Sequence, residues 1–136
     1  MEDNLSITLN HKQSYVAAFL FLCKYYERTK LNDLGGMLGC MSPYLWSGGM
    51  PIDITMYDDW VEIFNNKHSS NEEVSFVECL EIMITYVEFK IEEMHLNFES
   101  LPQFLKDLLS GKEQYNNIWT EWINCCSSAK LKEPNN

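Results

Sequence analysis

The sequence is poor in basic residues, and this shortage constrains what the protein can bind. Ten lysines and arginines stand against twenty aspartates and glutamates, which gives a formal net charge of −10 over 136 residues. A surface of that sign repels the phosphates of DNA, RNA and anionic membranes, and it attracts basic partners. We therefore expect the ligand to be neither a nucleic acid nor a membrane.

The sequence also lacks a long apolar run and a recognisable export signal. The longest apolar run, Tyr15 to Cys23, has nine residues and is too short to span a bilayer. The opening Met1-Glu2-Asp3-Asn4 is acidic where a secretory signal has basic residues. We therefore expect a cytoplasmic protein whose five cysteines, an odd number, stay reduced.

Motifs for metal binding and catalysis are scarce. There is no Cys-x-x-Cys and there are only three histidines, so a zinc site is not expected. The segment LGGMLGCM lacks the Gly-Lys-Ser/Thr of a phosphate loop, and WSGG lacks the glycine that precedes the serine of a nucleophile elbow. Cys125-Cys126 is typical of two core thiols, with a redox pair as the alternative. We expect no catalytic residue, metal or cofactor.

Helix signals dominate what is present. The apolar content of 46% and the length allow one folded domain. We predict an all-α, single compact domain of about six helices over residues 1–136, with a frayed tail at 129–136. The expected helix starts are Asn10 with Gln13, Asp33, Thr55 with Asp58, Ser70 with Glu73, and Ser100 with Gln103. LSITL alternates like a strand, but no partner strand is predicted.

A weak internal repeat divides the chain into two helical triplets, residues 10–65 and 70–128. SYVAAFLFLCKYYE (14–27) resembles SFVECLEIMITYVE (75–88), and each is followed by a short helix and then by a tryptophan helix. Trp60 and Trp122 lie 62 residues apart. This spacing predicts two pseudo-repeated halves packed against each other.

The acidic excess is confined to the middle of the chain. Residues 31–105 hold thirteen acidic residues and only Lys67 and Lys90, a net charge of −11, whereas the two flanking segments are close to neutral. The longest predicted helix has its core positions at Val77, Leu80, Ile84, Val87, Ile91 and Met94. The carboxylates Glu78, Glu81, Glu88 and Glu92 follow these positions by one residue, which places them on one stripe beside the core.

Two interpretations of this stripe are a solvated helix face and a docking surface for a basic protein. A third uses the pairs Asp59/Glu62 and Glu78/Glu81, which could hold Mg²⁺ if they face each other on two helices. All-α nucleotide pyrophosphatases use such pairs, but the Glu-x-x-Asp of their second pair is not found here, and no basic cluster for phosphates accompanies the acids. A Mg²⁺-dependent phosphohydrolase is the enzyme alternative.

Residues 7–65 resemble a group of small acidic helical bacterial proteins. The shared elements are Tyr-Tyr-x-Arg-Thr (Tyr25, Tyr26, Arg28, Thr29), Asp-Leu-Gly (Asp33, Leu34, Gly35) and Gly-x-Pro with a following Asp-Trp (Gly49, Pro51, Asp59, Trp60). These proteins are immunity proteins of contact-dependent growth inhibition and related toxin systems. The resemblance implies tight binding of a cognate toxin, often a nuclease, in the cytoplasm of the producing cell.

The residues and the resemblance together favour an immunity protein that acts by binding. A helical adaptor for another basic partner is the remaining alternative, and the oligomeric state is left open. The residues expected to contact the toxin are the acids of the stripe, a flanking acidic group and one aromatic anchor in the loop predicted for residues 42–53. They are Glu78, Glu81, Glu88, Glu92, Asp58, Asp59, Glu62 and Trp46.

Overall fold

The computed structural model describes residues 7–42, 53–69 and 71–131, and this part of the chain is almost entirely helical. The elements, in chain order, are β1 (Thr8–Leu9), α1 (His11–Thr29), α2 (Asn32–Met41), α3 (Ile54–Lys67), β2 (Val74–Ser75), α4 (Phe76–Met94), α5 (Leu101–Leu109), a 3-10 turn (Glu113–Tyr115) and α6 (Asn116–Leu131). The prediction of an all-α domain of about six helices is confirmed.

Helix α1 begins and ends as its sequence predicts. The Asn10 side chain accepts a hydrogen bond from the backbone N–H of Gln13, and the Gln13 side chain accepts one from the backbone N–H of Asn10. This reciprocal pair satisfies two backbone donors that the first turn leaves without helical partners. At the other end Lys30 adopts φ 55°, and its N–H donates to the Tyr26 carbonyl.

Helix α4 begins five residues later than predicted. Its capping box consists of Ser75 and Glu78, not Ser70 and Glu73. The helix has 19 residues, as does α1, and it also ends at a residue with positive φ, His95. Val74 is fully buried in β2, and this burial holds the preceding segment extended instead of continuing the helix upstream.

The prediction that LSITL has no partner strand is wrong. Thr8 pairs with Ser75 and Leu9 with Val74 in a two-stranded antiparallel ladder. The partner could not be foreseen because Val74-Ser75 lies within the helix predicted to start at Ser70. Leu9 and Val74 are both fully buried, so this short ladder joins the starts of α1 and α4 through the core.

Three other predicted starts differ in their details. Helix α2 begins at Asn32 and has no side-chain cap, because the Asp33 carboxylate accepts instead from the backbone N–H of Asn97. Asp53, not Thr55, caps α3. Ser100 precedes α5 as predicted but makes no capping bond with its side chain.

The tail begins later than predicted, because α6 continues to Leu131. Ala129 is fully buried, so apolar contact holds this last turn against the core. Residues 132–136 lie outside the described part of the chain.

Each half of the described chain has the order strand, long helix, short helix, tryptophan helix. His11 and Phe76, the first residues of the two long helices, are 65 residues apart, whereas Trp60 and Trp122 are 62 residues apart. The starts of the long helices therefore depart by about one helical turn from the spacing of 61–62 residues at which the two half-sequences match. The indole N–H of Trp60 donates to the Ser14 hydroxyl, and that of Trp122 donates to the Phe76 carbonyl, both over 2.9 Å.

The two halves share one core. Helix α1 packs along α6 of the other half, and α4 packs along α3 of the first half as well as along its own α5. The largest fully buried side chains include Trp60, Trp122, Tyr15 and Tyr86, drawn from both halves. The elements of the two halves therefore form a single folded unit.

Within the described residues, no helix is long and apolar enough to cross a membrane.

Candidate protein-binding surface

The buried face of helix α4 is wider than the line of core positions predicted for it, and it is rotated about the helix axis relative to that line. Cys79, Met83, Tyr86 and Lys90 are buried beside the predicted core positions Leu80, Ile84 and Val87. The two ends of the predicted seam, Val77 and Met94, are instead 40% exposed. This shift occurs because α3 and α5 both pack along α4, which leaves a strip of the helix open to water.

The open strip carries most of the predicted carboxylates. We call Glu81, Glu88 and Glu92, with Thr85 between them, the acidic ridge. Glu81 and Glu92 are exposed, and neither forms an ion pair within the described residues. Glu88 is half-buried, and its carboxylate lies 2.7 Å from the Lys106 ammonium of α5. The ridge therefore exists, and α5 partly neutralises its middle member.

Glu78 belongs to the helix start more than to the ridge. Its carboxylate accepts from the backbone N–H of Ser75 over 2.8 Å, and its own backbone N–H donates to the Ser75 hydroxyl. A carboxylate in this position also interacts favourably with the positive end of the helix dipole. The signal for this role was present in the sequence as Ser75-x-x-Glu78, but the competing Ser70-x-x-Glu73 pattern obscured it.

The flanking acids on α3 have different environments. Asp58 and Glu62 are exposed and form no ion pair within the described residues. Asp59 is bound internally, since its carboxylate lies 2.5 Å from the Lys90 ammonium. Asp59 is therefore placed beside the predicted surface but is largely occupied, whereas Asp58 and Glu62 are available to a partner.

Lys90 explains why the ridge stays acidic despite a lysine on the same helix. Its side chain is only 2% exposed and contacts both Asp59 and Glu93, the latter at 3.1 Å. The ammonium also lies 5.7 Å from the centre of the Tyr86 ring, within the range of a cation–π contact. Lys90 thus points into the junction of α3 and α4 and cannot screen Glu81 or Glu92.

A shallow groove between α3 and α4 joins the two acidic groups. One cavity of about 240 Å³ lies between Glu62 on α3 and Thr85 and Phe89 on α4. A smaller one of about 80 Å³ lies near Glu81 and Lys67. Phe89 is 41% exposed, so the groove offers an apolar surface between carboxylates, with Lys67 lowering the negative charge at one end.

The carboxylate pairs proposed for Mg²⁺ do not meet. Asp59 and Glu62 border the cavity beside Thr85 and Phe89, whereas Glu78 and Glu81 border the other cavity, closer to the helix start. No group of three or more histidine, cysteine, aspartate or glutamate side chains in the described residues is arranged to hold a metal ion. The arrangement of two facing pairs on which the phosphohydrolase alternative depends is therefore not present.

Burial raises the pKa of three cysteine thiols, those of Cys23, Cys79 and Cys125, which opposes their activation as nucleophiles. Burial raises the pKa of Cys23 to about 11 and that of Cys125 to about 12, so both remain protonated thiols at neutral pH. Both line a cavity of about 560 Å³ between α1 and α6. Cys79 is also fully buried, and its thiol donates to the Ser14 carbonyl over 3.7 Å.

Trp46, the predicted aromatic anchor, lies outside the described residues. Sequence reasoning missed three exposed apolar residues on α4, namely Val77 and Met94, which were assigned to the core, and Phe89. The chain matches no protein-family model, and comparisons with curated proteins and with solved structures give no match.

Proposed function

We propose that this protein is a cytoplasmic immunity protein that binds and neutralises a basic toxin, a nuclease, through the α3–α4 surface. The observation that carries the proposal is the set of exposed carboxylates that make no ion pair within the described residues, Glu81 and Glu92 on α4 with Asp58 and Glu62 on α3. The proposal also draws on the resemblance of residues 7–65 to immunity proteins.

The charge of the surface suits a nuclease. An enzyme that holds nucleic acid needs lysines and arginines along its substrate-binding face to neutralise phosphates. Carboxylates spaced along a helix can pair with the same side chains and exclude the substrate. Long-range attraction between the two surfaces also accelerates their encounter, which favours capture of the toxin before it acts.

The burial of Lys90 supports a docking role. Its contacts with Asp59 and Glu93 join α3 to α4 beneath the surface, so the spacing between Glu62 and Glu81 is fixed before binding. A rigid arrangement loses less conformational entropy when the partner docks. The ridge is thus held by the fold rather than formed by the partner.

The first test is whether a toxin accompanies the protein. The protein encoded by the adjacent upstream gene should be toxic when expressed alone and harmless when this chain is expressed with it, and the two should co-purify. If the adjacent product is not toxic, or if it remains toxic in the presence of this chain, the proposed function is wrong.

The second test locates the interface by charge reversal. Glu81→Lys with Glu92→Lys should weaken toxin binding, measured by calorimetry, by about a hundredfold, which corresponds to about 2.7 kcal/mol. Urea unfolding of this double variant should show no loss of stability relative to the parent chain, because both side chains are exposed.

The matched control is Glu27→Lys with Asn117→Lys and Asn124→Lys. These three exposed residues border the α1–α6 cavity, and the change in net charge equals that of the double variant. The control should retain binding within a few fold, since general attraction changes equally in both proteins. Equal affinities for the two variants would show that the toxin binds elsewhere on the protein.

A further inference from the structure

An apolar pocket lies beside the acidic ridge, at the corner where α4, α5 and α6 meet. It has a volume of about 340 Å³, and Lys112 and Asn116 are the polar side chains of its lining. The other side chains that line it are apolar or aromatic: Val77, Leu108, Leu109, Tyr115 and Trp119. Ligand sites for small molecules span about 300–1,000 Å³, so this pocket is at the lower end of that range. It has the capacity for one large side chain.

The pocket walls are held in place by packing. Trp119 stacks edge-on against Phe76, with ring centres 5.7 Å apart, and Tyr115 stacks edge-on against Phe104 at 5.3 Å. Leu108 is 1% exposed and anchors the end of α5 in the core. Because the aromatic rings are already positioned, an entering group does not have to order them.

The turn that closes one side of the pocket depends on a glycine. Gly111 adopts φ +81°, a left-handed conformation that other residues adopt only with strain. It follows the Ser110 cap of α5 and directs the chain toward the 3-10 turn that carries Tyr115. The pocket is thus a consequence of how α5 ends, which is a common use of glycine after a helix.

The pocket opens onto the acidic ridge. Val77, which is 40% exposed at the mouth, lies one helical turn before Glu81 on the same helix. The cation in the lining, Lys112, is paired with Asp107 at 3.1 Å, whereas the neighbouring Glu113 is exposed and forms no ion pair within the described residues. The lining is therefore mainly apolar, and two exposed carboxylates lie close to it along the chain, Glu81 one turn after Val77 and Glu113 directly after Lys112.

We infer that this pocket receives one aromatic or large aliphatic side chain of the toxin, presented between basic residues that pair with Glu81 and Glu113. The inference rests on the proposed function and extends the interface from the ridge to α6. In protein complexes a few side chains dominate the affinity, and an apolar anchor that enters a preformed pocket with charged residues around it is a side chain of this kind.

The pocket can be tested without the toxin, by NMR titration with capped pentapeptides. The probe has phenylalanine between two pairs of lysines. One control replaces phenylalanine by alanine, and another replaces the lysines by glutamates. The Trp119 indole N–H signal reports on the pocket, while the indoles of Trp60 and Trp122, buried and hydrogen-bonded to Ser14 and Phe76, serve as internal references.

The basic aromatic peptide should shift the Trp119 signal in a saturable manner and leave the two reference signals in place. The alanine and glutamate peptides should shift it by less than a fifth as much at the same concentration. Equal shifts with the glutamate peptide, or no shift with any of the three, would overturn the inference. So would a Trp119 shift that depends on protein concentration alone, since a second copy of the chain would then occupy the pocket.

A pair of α4 variants connects the pocket to toxin binding. Val77→Asn should weaken toxin binding about tenfold or more, whereas Met94→Asn, equally exposed but at the other end of α4, should leave it unchanged. Retained affinity in Val77→Asn together with lost affinity in Glu81→Lys/Glu92→Lys would reject the pocket and keep the proposed function. A chain that fails to bind any toxin would instead reject the function itself.

Discussion

At the scale of single residues, His11 is a half-buried titratable group whose role is structural. Its ring contacts Tyr57 and Phe64, and its Nδ1 lies 2.5 Å from the Tyr57 hydroxyl. Burial raises the pKa of Tyr57 to about 12, so the hydroxyl is protonated at neutral pH and shares a hydrogen bond with Nδ1. Burial, with Lys12 nearby, lowers the pKa of His11.

Stability should therefore fall as the solution is acidified through the range in which histidine titrates. The unfolded chain binds a proton near its ordinary pKa of about 6.5, and the folded chain binds one only at lower pH. The stability that neutral His11 contributes is fully present above the pKa of the unfolded chain, and it is lost as the pH falls through the pKa of the folded chain. When the free energy of unfolding is measured with urea across this pH range, His11→Gln should lose less stability than the parent chain as the pH falls. The same pH dependence of the free energy of unfolding in both proteins would contradict the prediction.

At the scale of elements, the junction of α3 and α4 depends on one buried lysine. Sequence patterns within each helix place Asp59 and Glu62 one turn apart and Lys90 on the long helix. Only packing shows that Lys90 reaches across to Asp59 at 2.5 Å while Glu62 stays in water. A buried charge held by two carboxylates is stable only with both partners present, because its water shell is gone.

Removal of Asp59 should therefore destabilise the fold, while removal of its neighbour should not. We expect Asp59→Ala to lower the free energy of unfolding by about 2 kcal/mol, because the Lys90 ammonium keeps only Glu93. Asp58→Ala, one position earlier and exposed, should change it by less than about 0.5 kcal/mol. Urea unfolding measures both, and equal losses would mean that the contact between Lys90 and Asp59 is not what stabilises the junction.

At the scale of the whole molecule, the charge is unevenly distributed in space as well as in sequence. Glu81 follows Glu78 by three residues, and Glu92 follows Glu88 by four, so each exposed carboxylate of the acidic ridge has a like charge as its neighbour on α4. The only lysine on α4 is directed inward, and Lys106 of α5 reaches only Glu88. A surface selected for stability alone would relieve this repulsion.

Neutralising the ridge should therefore stabilise the isolated protein. Glu81→Gln and Glu92→Gln should each raise the free energy of unfolding by about 0.2–0.5 kcal/mol at low salt, and the gain should shrink at high salt as screening increases. Glu27→Gln, on α1 beside Lys24, serves as the control and should give no gain. A stabilisation by the ridge variants that is unaffected by salt would argue against electrostatic repulsion as its cause.

The fold was largely predictable because its signals are local. The Asn10/Gln13 capping box and the start of α5 after Ser100 depend on a few neighbouring residues, and each is found where the pattern places it. The errors occur where distant segments compete with a local pattern. Pairing with Thr8-Leu9 makes Val74-Ser75 a strand and moves the start of α4, and close packing of α3 and α5 turns its buried face away from Val77 and Met94.

The sequence by itself determined that the chain is helical and that its acidic excess lies between residues 31 and 105, since composition and periodicity do not depend on packing. Tertiary structure decided which acids remain open to a partner. Asp59 forms an ion pair with Lys90, and Glu88 forms one with Lys106. The acids that face water are Glu81, Glu92, Asp58 and Glu62. It also decided that an apolar pocket adjoins them. The physical reason is that a carboxylate's availability depends on the cations and helix ends that folding brings within a few ångströms, and these come from other parts of the chain.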